Sequence, residues 1–181
     1  MNIGLTGGVA CGKTEVLKTF ADFGFDTLDA DDIVHELLPK LSKELIRLFG
    51  TTDKLELRKL IFSSPSDKQK IEDLLHPHVW ESLNRTLKNR KKEPPVVVCI
   101  PLLFETQSED RFDQTISVLC DEPLQMERLI KRDGISSALA KQMIQSQMPN
   151  AQKAKKSDVV IWNNGTLADL KKEVLAIIKK F

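Results

Sequence analysis

The run Asn2-Ile3-Gly4-Leu5-Thr6, followed by Gly7-Gly8-Val9-Ala10-Cys11-Gly12-Lys13-Thr14, decides the fold class. A short apolar segment halted by two glycines reads as a strand entering a tight turn. Residues 13–23 then place Val16, Leu17 and Phe20 on one face of a helix that Gly24 stops. Between the two lies Gly7-x4-Gly12-Lys13-Thr14, the spacing of a phosphate-binding loop in the strand–loop–helix setting its chemistry requires. Glycine lets the backbone turn its N–H groups toward phosphate oxygens, and the helix N-terminus adds unpaired donors and the positive end of its dipole. Lys13 supplies a point charge for the β and γ phosphates, and the Thr14 hydroxyl is a magnesium ligand. The stretch implies a nucleoside triphosphate, with ATP and Mg2+ as the expected pair.

Working outward, residues 26–28 read as a second short strand and 96–100 as a continuous β-branched run. Residues 115–120 and 159–162 read as two more strands. The run at 96–100 suits a strand buried on both faces, as in a parallel sheet. Helices are expected at 122–131, with Pro123 in the first turn, at 136–147 and at 167–179. Strands alternating with helices imply right-handed crossovers and an α/β fold with its sheet covered on both sides. Residues 40–92 are helical in pattern, interrupted at Gly50-Thr51-Thr52-Asp53, at Ser63-Ser64-Pro65 and at His76-Pro77. This longest strand-free stretch is the expected insertion in a single domain spanning 1–181.

A formal net charge of +1 gives no global field to attract nucleic acid or an anionic membrane, so an anion site must be built locally. Cys11, Cys99 and Cys120 show neither metal spacing nor a disulfide framework, which fits a reducing cytosol. Cys99 and Cys120 lie in apolar runs and read as core. With no signal-peptide pattern and no run of membrane-spanning length, the expectation is a cytoplasmic protein without membrane or nucleic-acid partners.

Two negatives narrow the use of the triphosphate. The buried strand at 96–100 ends in Pro101 rather than in a magnesium-organising Asp, and no guanine-reading Asn-Lys-x-Asp occurs. Asp29, Asp31 and Asp32 cluster at the end of the second strand, and ligands gather at strand carboxyl ends in such sheets. A carboxylate there can take a proton from an attacking hydroxyl; equally, the three can be a helix cap and first-turn acids. Arg128 and Arg132 share a helix face, either to stabilise a transferring phosphoryl group or as a solvated face with Glu127 and Asp133. Lys153, Lys155 and Lys156 read as solvated surface, His76 as a turn residue, and Trp80 and Trp162 as packing.

Taken in order, several elements resemble the dephospho-coenzyme A kinase family. They are Ile3-Gly4-Leu5-Thr6-Gly7-Gly8, Leu28-Asp29-Ala30-Asp31, Leu75-His76-Pro77 and Ile100-Pro101-Leu102-Leu103-Phe104-Glu105. Further along come Gln125-Met126-Glu127-Arg128-Leu129 with Arg132-Asp133, then Gln147, and Ser157-Asp158-Val159-Val160-Ile161 with Asn163-Asn164-Gly165. The resemblance covers nearly the whole chain. It implies a P-loop NTPase-type, three-layer α/β fold on a parallel five-stranded sheet, with a helical acceptor-binding insertion at about 40–92 and a lid at about 134–157. It also implies ATP-dependent phosphorylation of the ribose 3′-hydroxyl of dephospho-coenzyme A, by a monomer or small homo-oligomer.

On that resemblance, Asp31 orients or deprotonates the hydroxyl with Asp29 in support. Gly8, Ala10, Cys11, Gly12, Lys13, Thr14 and Glu15 form the ATP-binding run, and Arg132 and Arg128 reach the phosphates from the lid side. His76, Leu103 and Glu105 shape the acceptor site, and Asn163 falls at the adenine edge. The alternatives are another small-molecule or nucleoside monophosphate kinase on the same fold, or a non-catalytic triphosphate-binding regulator. Departures from the family pattern are definite. Its loop usually reads Gly-Ser-Gly-Lys-Ser-Thr, against Ala10-Cys11-Gly12-Lys13-Thr14-Glu15 here. Leu55-Glu56-Leu57 replaces Leu-Asp-Arg in a shortened segment, leaving Arg58 as the candidate acceptor-side arginine, and Trp162 replaces a common Asp.

Overall fold

The computed structural model describes residues 1–90 and 94–181, apart from the side chains of Leu55, Arg58 and Phe62. The expectation for Arg58 therefore lies outside the described residues. The chain divides into two compact units, Met1–Leu28 with Lys92–Phe181, and Asp29–Lys91.

The first unit holds a five-stranded parallel sheet in the order β2-β3-β1-β4-β5. Its strands are β1 (Asn2–Gly7), β2 (Asp26–Asp29), β3 (Val96–Cys99), β4 (Gln114–Leu119) and β5 (Val159–Trp162). The chain leaves β1 for the far edge, returns to β3, then crosses to β4, so the connections diverge on either side of β1. The carboxyl end of that strand is the switch point where such sheets bind ligands. Alternation sorts the side chains: Ile3, Leu5, Val97, Cys99, Ile116 and Val118 join one core with Val16 and Phe20 of α1 (Lys13–Asp22). Leu170, Val174 and Ile177 of α9 (Leu167–Ile178) complete it. Helix α6 (Glu122–Asp133) leads to α7 (Ser137–Gln145) and α8 (Asn150–Lys156), and α8 packs against β4.

The second unit is helical: α2 (Ala30–Leu37), α3 (Ser42–Phe49), α4 (Lys54–Ser63) and α5 (Pro65–Asn89). Leu41, Leu45, Leu57, Ile71 and Leu75 form its own core, with α5 packed on α2 and α4. The expected interruption at His76-Pro77 does not occur, because α5 runs through Pro77. Pro77 removes one donor, but Asp73, whose carbonyl it would have served, is exposed along with it, so water can take the acceptor. Ile71, Leu75, Val79 and Leu83 give a buried stripe at every fourth position that holds the helix on both sides. Among the described residues no helix is long and apolar enough to cross a membrane.

The lysine-rich stretch, expected as solvated surface, also differs. It is helix α8, whose last-turn lysines suit the dipole, and Lys153 is completely buried rather than solvated.

Candidate active site

The loop after β1 is built for an anion. Gly12 caps α1 with no side-chain cap, at a φ of 100° that favours glycine, and a Cβ there would stand 2.4 Å from Asn163 Nδ2. Gly8 is needed for space, since a Cβ would lie 2.7 Å from Gln125 Nε2 and 2.8 Å from Asn150 Oδ1. Ala10 adopts a φ of 58°, a left-handed conformation costly to a residue with a Cβ. Among the described residues the amides of Ala10, Gly12, Lys13 and Thr14 have no protein acceptor, as expected of donors awaiting phosphate oxygens. The Lys13 ammonium donates to the carbonyls of Gly7 (3.1 Å) and Gly8 (2.9 Å), so the cation sits over the loop. Thr14 is exposed at the first turn of α1, with Glu15 beside it half-buried.

Around the loop, polar side chains tie its backbone to the sheet. Asn163 donates from Nδ2 to the Cys11 carbonyl (2.9 Å), and its own carbonyl accepts from Arg128 (2.8 Å). Arg128 thus anchors the turn after β5, whereas the exposed Arg132 pairs with Asp133 (2.7 Å). The two arginines that share a face in sequence are used differently. The Cys120 thiol donates to Cys11 Sγ at 3.2 Å, and this bond, with help from the Lys13 charge and against burial, holds Cys11 down to about 7. As the donor of that bond, and buried itself, Cys120 is pushed up. Neither is in a disulfide.

Glu105 and Lys153 form an ion pair at 2.8 Å, with Lys153 also donating to the Pro101 carbonyl at 3.1 Å. Burial pulls the Lys153 ammonium below its ordinary range, and the Glu105 carboxylate opposes that. Glu105 also accepts the Met148 amide at 2.8 Å, so its side chain is engaged within this unit. Leu103 is fully buried, its Cδ2 packed toward Gly4, which makes it a core residue.

In the helical unit, Asp29 caps α2 by accepting the Asp31 amide at 2.9 Å. One reading of the acidic cluster, helix capping, is thereby realised for Asp29, and the Asp31 and Asp32 side chains are exposed in the first turn. His76 is half-buried on α5. Among the described residues no group of three or more His, Cys, Asp or Glu side chains is arranged to hold a metal.

The dephospho-CoA kinase family model matches residues 1–169. The chain belongs to that family. A dephospho-CoA kinase of Fusobacterium nucleatum is 37% identical over 184 residues, covering 96% of this chain and 95% of its own. One from Gamma-proteobacterium EBAC31A08 is 37% identical over 192 residues, covering 100% and 97%. Among solved structures, a Thermus thermophilus protein superposes with a TM-score of 0.86 at 31% identity, covering 100% and 97%. The dephospho-CoA kinase of Campylobacter jejuni gives 0.67 at 25%, covering 99% and 96%. An Acinetobacter baumannii shikimate kinase, at 18% identity and a TM-score of 0.58, shares the fold.

Within the family frame, the residues that sequence reasoning passed over are Lys153, read as solvated, and Gln125 and Asn150, given no role. Gln125 did carry a signal, its place in the Gln125-Met126-Glu127-Arg128-Leu129 element of the family resemblance; for Lys153 and Asn150 the sequence offered only polarity.

Proposed function

We propose that the enzyme transfers the γ-phosphoryl group of ATP to the ribose 3′-hydroxyl of dephospho-CoA, giving CoA and ADP in the last step of CoA biosynthesis. The observation that carries the donor half is the run of unpartnered loop amides ending at Lys13 and Thr14. Lys13 leaves the Gly7 and Gly8 carbonyls for the β and γ phosphates, and Arg132 meets the developing phosphoryl charge. Asp31 accepts the proton of the 3′-hydroxyl as its oxygen attacks the γ-phosphorus and the bond to ADP breaks. Its exposed carboxylate supports this role, as does the Asp29 cap that fixes the Asp31 backbone. His76 contributes to acceptor binding.

The donor set fits Mg2+ held jointly with nucleotide: Thr14 offers one exposed hydroxyl, and such ions take few protein ligands beside substrate phosphates. When bound, the ion neutralises charge between the β and γ phosphates. A cytoplasmic setting goes with this reading, since three cysteines without metal spacing or a disulfide framework suit a reducing compartment.

The test is ADP release from ATP and Mg2+ with dephospho-CoA, with nucleoside monophosphates, or with no acceptor. Stimulation by dephospho-CoA alone is expected. Stimulation only by a nucleoside monophosphate, or none above the acceptor-free rate, would overturn the reading.

A further inference from the structure

The Val9 backbone is gripped on both sides by side-chain amides. Its N–H donates to Gln147 Oε1 at 2.9 Å, and its carbonyl accepts from Gln125 Nε2 at 2.8 Å. Gln125 is 2% exposed. Its own oxygen accepts from Asn150 Nδ2 at 3.2 Å, and Asn150 is anchored in turn on the Cys120 carbonyl at 3.0 Å. Next along the chain, Met148 donates its amide to Glu105, the carboxylate paired with the buried Lys153. The segment carrying Gln147 is thus pinned from below.

The geometry of the peptide unit says what this grip accomplishes. In a planar trans peptide the C=O and N–H point in opposite directions. Holding the Val9 carbonyl toward Gln125 aims the Ala10 N–H the other way, to the side where it has no partner among the described residues. Holding the Val9 N–H toward Gln147 aims the Gly8 carbonyl away, where it accepts from Lys13 and from the Cys11 amide at 3.3 Å. When Lys13 turns to a phosphate, Gln147 still fixes that plane. External support matters here because Ala10 stands at a φ of 58° without glycine's tolerance, so the turn does not favour this arrangement by itself.

We propose that Gln125 and Gln147 are positioning residues for phosphoryl transfer. They lock the two peptide planes flanking Val9 so that the loop's donors are aimed before ATP arrives, with Asn150 orienting Gln125 and the Glu105–Lys153 pair seating Gln147. Neither amide is required to touch the reacting atoms. Their effect is on the donor substrate alone, because preorganised donors strengthen binding without reorganisation. This rests on the reading of the loop as the ATP site.

The experiment compares Gln147→Met and Gln125→Met with the wild type in steady-state kinetics, varying ATP and dephospho-CoA separately, with a melting temperature for each variant. The KM for ATP is expected to rise about tenfold in each, with the KM for dephospho-CoA within twofold of wild type. Gln147 is half-buried, so its variant reports even if loss of the buried Gln125 impairs folding. An unchanged KM for ATP in Gln147→Met overturns the assignment, as does an equal rise in both KM values alongside a lowered melting temperature, the mark of a merely structural role. Lys13→Ala run in parallel separates the two levels. Normal turnover there defeats the loop reading itself, whereas an inactive Lys13→Ala with unchanged glutamine variants defeats only this inference.

Discussion

The two compact units hold their functional groups in contrasting ways. In the sheet unit, each polar group around the phosphate loop is tied to backbone: Lys13 to Gly7 and Gly8, Asn163 to Cys11, Arg128 to Asn163, Gln125 and Gln147 to Val9. In the helical unit, the candidate carboxylate Asp31 is exposed, fixed through its amide by the Asp29 cap. Binding a polyanion rewards donors fixed in advance, since their ordering is completed during folding rather than at binding. A proton acceptor needs reach to the attacking hydroxyl, which an exposed carboxylate on a helix turn can have. On the proposed reading, fixed donors go with the ATP loop and solvent access with the proton-accepting carboxylate.

The contrast between the two units depends most on Lys13. If Lys13 acts on the transferring phosphoryl group as proposed, Lys13→Ala should lower turnover by about a thousandfold or more. A loss below tenfold, measured as kcat for ADP release, would contradict a donor side organised around this residue. Lys153→Met tests the support beneath it. Breaking a buried pair leaves Glu105 without its cation, and a loss of about 3 kcal/mol in denaturant unfolding is expected. The double variant Lys153→Met/Glu105→Leu should recover part of that loss; a double as unstable as the single would show that the pair is not the source.

How much of this was legible beforehand follows the same division. The phosphate loop was readable because its chemistry is local: eight consecutive residues hold both the turn and the charge. The strands were readable from β-branched runs, with ends shifting by a residue or two. Lys153 was not, because its burial depends on a carboxylate 48 residues away, and three lysines in four positions look solvated until that partner is placed. The roles of Gln125 and Asn150 were hidden for the same reason: Gln125 is set by Val9, 116 residues earlier, and Asn150 by Cys120 and Gln125 in other elements. Pro77 misled in the opposite sense. A local rule said break, while the buried stripe Ile71, Leu75, Val79 and Leu83 kept α5 whole. Asp29 was legible as a cap with Asp31 and Asp32 as first-turn acids, and α2 is built that way; spacing alone leaves open whether one of them also meets a hydroxyl.

Smaller effects sharpen the account of the loop. Cys11 sits depressed, at about 7 against an ordinary value near 9, chiefly through the hydrogen bond from Cys120. A thiol with a lowered folded pKa contributes stability above its unfolded pKa and loses it as pH falls through the folded one. Wild type should therefore gain on Cys11→Ser between about pH 7 and pH 9, by roughly 1–2 kcal/mol in chemical unfolding. A difference that is flat across that window would mean that Cys11 remains a thiol. Ala10→Gly relieves the left-handed strain but adds freedom to the unfolded chain, leaving a net gain of about 0.5 kcal/mol. A loss of stability there would show that the Ala10 methyl group is packed to advantage.

The division of labour itself is tested by measuring ATP binding calorimetrically, beside turnover, in Asp31→Asn and Lys13→Ala. The account predicts that Asp31→Asn binds ATP within about twofold of wild type while turnover falls by about a hundredfold or more, and that Lys13→Ala loses both. An Asp31→Asn enzyme with near-normal turnover, or one that no longer binds ATP, would contradict it.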